Sequence, residues 1–270
     1  MLILLPPSEG KSAPARGNPL DLAGLSSPSL TDARTRIIDA LVAASAAPDA
    51  LATLGLTPGL ADEAECNTRL GTAPAARADR IYTGVLYDAL SFATLSPTAR
   101  RRATNRVAIT SSVFGMVRPT DRIPAYRLAG GVSLPGLGPV AGVWRETLGD
   151  AVSDALGSGL LVDLRSTTYT AFWRPPRELA SRVATVRVLH ESGGRRAVVS
   201  HFNKATKGHL VRALLEDGGA PRTPAALADL LRRLGWKVEE GEPTVKGTQL
   251  DVVVTEISAT GGGGVTTARR

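Results

Sequence analysis

Apolar residues fall along this chain in two rhythms. Predominantly apolar runs such as LILL (2–5) and LLVDL (160–164) predict buried strands. VAITSSVFGMV (107–117) predicts another strand, and ATVRVLH with RRAVVSHF predicts a hairpin turning at Glu191–Gly194. A last strand is expected in QLDVVVTEIS (249–258). Helical spacing separates these runs. TDARTRIIDALVAAS places Ile37, Ile38, Leu41 and Val42 on one stripe, with Thr31 as cap and Pro48 as stop. A second helix is expected from Pro58 to Arg69, with Asp62, Glu63 and Glu65 where the helix dipole favours acids. RETLGDAVSDAL (145–156), a helix opening at KATKGHLVRALLE (204–216), and TPAALADLLRRLG capped by Thr223 complete the helical set. Between them, RIYTGVLYDALSF offers Tyr82, Val85, Leu86 and Leu90 for burial.

Strands and helices interleave without a regular βαβ count, and no repeat or linker divides the body. The expected fold class is α+β: a single domain over residues 1–258 with a mixed β-sheet flanked by helices. A disordered Gly-rich tail is expected at 259–270. The hydrophobic share is 43% but the aromatic share only 4%, so the core must be built from Leu, Val and Ala. One cysteine, Cys66, leaves no internal disulfide and fits a reducing compartment. Three scattered histidines and no metal-ligand spacing predict neither a metal nor a cofactor. No run reaches membrane-spanning length and MLILLPP lacks a cationic lead-in, so a cytoplasmic protein is expected.

Charge changes the picture more. A net charge of +7 and a pI near 10.1 favour an acidic partner. Three segments gather cations at strand ends: SEGKS with Lys11; FGMVRPTDRIPAYRL with Arg118, Arg122 and Arg127; HFNKATKGHLVR with Lys204, Lys207 and Arg212. Gly10-Lys11-Ser12 ends like a phosphate-binding loop, but Leu5 stands where that motif needs glycine, and Pro6 and Pro7 remove backbone donors. The run Arg100, Arg101, Arg102 and Arg106 reads as a solvated helix face. His201 and His209 flank the two lysines and read as packed histidines. LPGLGP (134–139) has the glycine spacing of a helix-hairpin-helix turn, which holds DNA phosphate through backbone amides; an ordinary glycine turn fits it as well.

These blocks together resemble the YaaA family of peroxide-stress proteins over nearly the whole chain, from MLILLPPSEGK through YTGVLYDAL, FGMVRPTDRIPAYRL and LLVDLRSTTY to HFNKATKGHLVR. Arg118-Pro119-x-Asp121 and Tyr126-Arg127-Leu128 stand in family positions. Lys207 replaces the arginine of the family's K-K-A-R-G block and Ala205 its second lysine. Ser166-Thr167-Thr168-Tyr169 has hydroxyls where members often carry acids. The resemblance implies a cytosolic protein that protects cells from hydrogen peroxide, in part by limiting free iron. It also implies a positively charged cleft and a helix-hairpin-helix-like element that bind duplex and branched DNA. On this reading Lys11, Arg118, Arg127, Lys204 and Lys207 contact DNA phosphates, with Ser8, Gly10, Tyr82, Asp121, Tyr126, Ser166 and Tyr169 lining the pocket. The alternative is an enzyme acting on a nucleobase or nucleotide, similar to a glycosylase/lyase, with Lys204 or Lys207 as nucleophile.

Overall fold

The computed structural model describes residues 1–255 except Gly194, and not the side chains of Ser200 and His201. The strands among the described residues are β1 (Leu2–Leu5), β2 (Ala76–Arg77), β3 (Val107–Ser111), β4 (Gly115–Val117), β5 (Arg122–Ile123), β6 (Ser133–Leu134), β7 (Gly138–Pro139), β8 (Leu161–Asp163), β9 (Val183–Ser192), β10 (Arg195–Ala197), β11 (Lys237–Glu240) and β12 (Thr248–Val254). The helices are α1 (Thr31–Ala46), α2 (Ala50–Leu54), α3 (Ala61–Asn67), α4 (Ala78–Ile81), α5 (Val85–Leu90), α6 (Pro97–Arg106), α7 (Val140–Leu156), α8 (Thr167–Thr170), α9 (Ser200–Asp217) and α10 (Pro224–Arg233).

Eight strands form one mixed sheet in the order β11-β12-β9-β8-β1-β3-β4, with β10 paired to β9. Its centre is parallel: β12, β9, β8, β1 and β3 run in one direction, and antiparallel β4 and β11 close the edges. All four residues of β1 are buried, as an all-aliphatic strand requires, between two parallel strands and with both faces covered. The α+β single-domain expectation is met.

The chain leaves β1 toward β3 on one side and leaves β8 toward β9 on the other. Adjacent parallel strands whose connections depart in opposite directions leave a crevice at their carboxyl ends, the usual ligand address of open α/β sheets. One wall of that crevice is set by α9, which packs tightly on α5. The contact depends on Gly208: a methyl group there would fall on the Leu86 carbonyl oxygen and lie 2.8 Å from the Ala89 Cβ.

Several local expectations change. Thr31 is not a cap: a 3-10 turn at Pro28–Leu30 feeds α1, and Leu30 holds the cap position. Arg34, on the α1 stripe, is fully buried and donates to the carbonyls of Ser26, Phe114 and Met116. Burial lowers its pKa to about 10, against the opposing charge of Asp121. The predicted strand 107–117 is a hairpin, β3 folding back on β4. LPGLGP is likewise a two-stranded hairpin, β6 on β7, and the chain directly before it is not helical, so this segment is not half of a helix-hairpin-helix. Helix α7 starts at Val140 rather than Arg145 because Val140, Val143 and Trp144 extend the apolar stripe of Leu148 and Ala151 backward. Thr223 caps α10, accepting the Ala226 N–H at 3.2 Å. No helix among the described residues is long and apolar enough to cross a membrane. The expected tail at 259–270 lies outside the described residues.

Gly208→Ala should lower stability by about 1–3 kcal/mol, the usual cost of forcing a methyl into a filled contact. Urea unfolding measures it, and an unchanged midpoint would contradict the backbone contact between α5 and α9.

Candidate functional site

A cleft of about 780 Å³ occupies the crevice. Its floor is the loop after β1, Pro6–Gly10, and its walls are the start of α5, Gly130 and Gly131, the turn Leu164–Tyr169 after β8, and the Asn203–Lys207 stretch of α9. Apart from the turn at Gly130 and Gly131, each wall comes from a strand end or the first turns of a helix, the usual place for binding residues on a rigid scaffold.

The loop after β1 is pinned at each step. The Tyr87 hydroxyl donates to the Pro6 carbonyl at 2.7 Å. Ser8 Oγ donates to the Gly10 carbonyl at 2.7 Å and accepts the Thr83 N–H at 3.1 Å. Lys11 does not point into the cleft. Its Nζ turns beneath the loop and donates to the carbonyls of Ser8 at 2.8 Å and Glu9 at 3.3 Å. The ammonium lies 4.1 Å from the centre of the Tyr126 ring, a cation–π contact. The lysine of the GKS segment thus braces its own loop.

Tyr82 and Tyr126 are buried behind that brace. Their hydroxyls meet at 3.0 Å, and Ser111 Oγ lies 2.8 Å from the Tyr126 hydroxyl. Burial raises both phenols' pKa values, so both stay neutral. The two tyrosines support the cleft from below and do not line it. On the other wall, Arg165 and Asp163 form a buried two-pronged pair, Nε to Oδ1 at 2.9 Å and Nη2 to Oδ2 at 2.7 Å. Arg165 also donates to the Tyr169 carbonyl at 3.2 Å, holding the hydroxyl-bearing turn Ser166–Tyr169 in place. Gly130 lets the facing chain approach that turn, since a Cβ there would sit 2.9 Å from the Tyr169 ring.

The five cations expected to share one trough are distributed. Lys204 and Lys207 line the cleft. Lys204 is exposed; Lys207 is half-buried, and its Nζ donates to the Leu164 carbonyl at 3.2 Å. Burial holds Lys207 below the ordinary lysine range, with Asp163 working the other way. Neither lysine has a carboxylate ion-pair partner among the described residues. Arg127, by contrast, is held by Glu63 at 3.0 Å and Glu9 at 3.5 Å. Arg118 stands at the opposite end of β3, donating to the carbonyls of Asn105 and Val107. Asp121 is there too: its carboxylate accepts the Arg118 N–H and both the N–H and hydroxyl of Ser26. Ser8, Gly10, Ser166 and Tyr169 do line the cleft. His209 is exposed on α9, and the side chain of His201 lies outside the described residues.

Sequence reasoning missed the Thr83–Tyr87 wall, the Gly130-Gly131 pair and Asn203. The signal for the first two was the glycine in YTGVLY and AGG, where close chain approach is cheapest. Asn203 Oδ1 is buried in the lining without a hydrogen-bond partner among the described residues. Such an orphaned acceptor suits a donor brought by a ligand.

Burial dominates the titration of Lys11 and brings its pKa to about 8, with Glu9 raising it, Arg127 lowering it and Glu63 raising it. The unfolded chain therefore binds more protons between about 8 and 10.5, and folding stability should rise with pH across that window. Lys11→Met should lose this rise relative to the parent in urea unfolding at several pH values. Parallel pH profiles would show that Lys11 titrates normally.

The model of a family described as "Peroxide stress protein YaaA" matches residues 1–242. A UPF0246 protein of Streptomyces coelicolor is 51% identical over 261 residues, covering 95% of this chain and 100% of its own length. A UPF0246 protein of Corynebacterium efficiens is 45% identical over 90% of this chain and 96% of its own. One from Corynebacterium glutamicum is 41% identical over 94% and 100%. With a family model over most of its length and relatives matched end to end, the chain belongs to the peroxide stress protein YaaA family, which its relatives carry as UPF0246.

Proposed function

We propose that this protein serves peroxide defence in the cytoplasm by binding nucleic acid at the cleft, with Lys204 and Lys207 taking backbone phosphate. The observation that carries the reading is the pair itself. Two lysines one helical turn apart, with no carboxylate ion pair among the described residues, overhang a hydroxyl-lined crevice at the carboxyl ends of β1 and β8. Phosphate accepts hydrogen bonds from ammonium and hydroxyl groups alike, and contacts of this type carry no base information. Binding is therefore nearly blind to sequence and open to duplex and branched DNA.

The contact set is narrower than the charge of the chain suggests. Arg127 already serves two carboxylates, and Lys11 serves its own loop. Arg118 faces a separate hollow beside Ser26, Ser29 and Asp154. Protection from iron-driven damage is proposed to follow from covering DNA, not from holding the metal, since the chain carries one cysteine and three histidines.

The test is a salt titration of duplex binding by fluorescence anisotropy. Each phosphate neutralised contributes about 0.9 to the slope of log affinity against log salt, so Lys204→Ala/Lys207→Ala should weaken binding and flatten the slope by about 1.8. Arg118→Gln should leave affinity and slope unchanged. An unaltered slope in the double variant, or a loss confined to Arg118→Gln, would move the interface away from the cleft.

A further inference from the structure

The two lysines of the cleft are not equivalent. Lys204 is exposed at the rim, where a solvated ammonium is suited to a phosphate. Lys207 sits one turn deeper, half-buried, and the Leu164 carbonyl fixes the direction of its amine. The chain has five lysines. Among them, Lys11 is committed to the β1 loop, Lys237 pairs with Glu191 and Lys246 is exposed away from the cleft, so Lys207 is the lysine that is both oriented and open to a cavity of ligand size.

We infer that Lys207 is a nucleophile that captures an aldehyde, namely that of a phosphorylated sugar whose phosphate is taken by Lys204. The source of that aldehyde is either an abasic site in nucleic acid or a free sugar phosphate. The inference rests on the anion-binding reading of the cleft.

The chemistry is balanced within the site. The neutral Lys207 amine adds its lone pair to the carbonyl carbon, and one of the amine's two protons passes to the carbonyl oxygen to give a carbinolamine; the other leaves with the hydroxyl in the next step. Loss of that hydroxyl as water leaves a C=N bond in place of C=O, with no oxidant or reductant required. Two features favour the step. Burial keeps the Lys207 amine easier to deprotonate than an exposed lysine, although Asp163 opposes this. The hydroxyls of Ser8, Ser166 and Thr167 and the orphaned Asn203 Oδ1 give the sugar and the departing water hydrogen-bond partners. A cleft of about 780 Å³ holds a sugar phosphate but not a stacked duplex, so an abasic unit enters it only when turned out of the helix.

Borohydride reduces an imine to a permanent secondary amine, which makes capture measurable. The full chain is mixed in one arm with a duplex carrying a single abasic site and in the other with 2-deoxyribose 5-phosphate. Each arm is treated with borohydride, weighed by intact mass and mapped by peptide digestion. Binding of an undamaged duplex is followed in parallel. The expected result is an adduct on Lys207 in at least one arm, reduced about tenfold or more in Lys207→Arg, which keeps the charge but cannot form the imine. Arg118→Gln, outside the cleft, should leave both the adduct and the binding of undamaged duplex as in the parent. An adduct in the duplex arm alone assigns nucleic acid as the source, and one in the free-sugar arm alone assigns the small molecule. No adduct in either arm while undamaged duplex still binds overturns the nucleophile and spares the DNA reading. An adduct that persists in Lys207→Arg, or maps to other lysines, overturns it equally. Capture of the free sugar phosphate by a protein that binds no duplex supports the nucleophile and overturns the DNA reading.

Discussion

The structure depends on one strand being covered on every side. LILL presents no polar side chain, so β1 must have a parallel neighbour at each edge and packing on both faces. Meeting that requirement sends the chain to β3 on one side and, after β8, to β9 on the other. The crevice between the two departures is a consequence of burying β1, not an independent feature. What fills its rim is then decided by local chemistry: two prolines and a braced lysine on one side, a buried Arg165–Asp163 pair on another, and α9 drawn in close by Gly208.

Charge in a sequence is not charge on a surface. Many arginines of this basic chain are already occupied. Arg102 and Arg106 donate to the last carbonyls of α9 and the glycines after it, and Arg182 donates to the carbonyls beyond α7. A helix leaves its final carbonyls without partners and with a partial negative charge, so guanidinium groups collect there. That is why the run Arg100–Arg106 is not simply a solvated face. Others sit in ion pairs, such as Arg187 with Asp251 and Arg196 with Glu239. The cations that remain available to a ligand in the cleft are few, and they are lysines.

The parts legible in sequence were those set by short-range rules. The buried runs at 2–5 and 160–164, the capped helix at Thr223, and the hairpin pairing β9 with β10 all follow from composition and turn chemistry within a dozen residues. Lys204, Lys207, Ser8, Gly10, Ser166 and Tyr169 were legible as cleft candidates because strand ends converge at one edge of a parallel sheet. Arg118, Arg127 and Asp121 looked like site residues because nothing nearby in sequence shows what occupies them. Arg127 and Asp121 have partners far along the chain: Glu63 lies 64 positions from Arg127, and Ser26 lies 95 from Asp121. The same distance hid the Thr83–Tyr87 wall, which meets the β1 loop only after folding.

Whether the proposed ligand enters the crevice beside β1 can be read from the backbone amides of ¹⁵N-labelled protein while a short oligonucleotide is added. The largest shifts should fall at Ser8–Gly10, Gly84–Leu86, Gly130–Gly131, Leu164–Thr168 and Asn203–Lys207. Largest shifts around Arg118, Ser26 and Asp154 at the opposite end of the sheet, with the crevice silent, would contradict it.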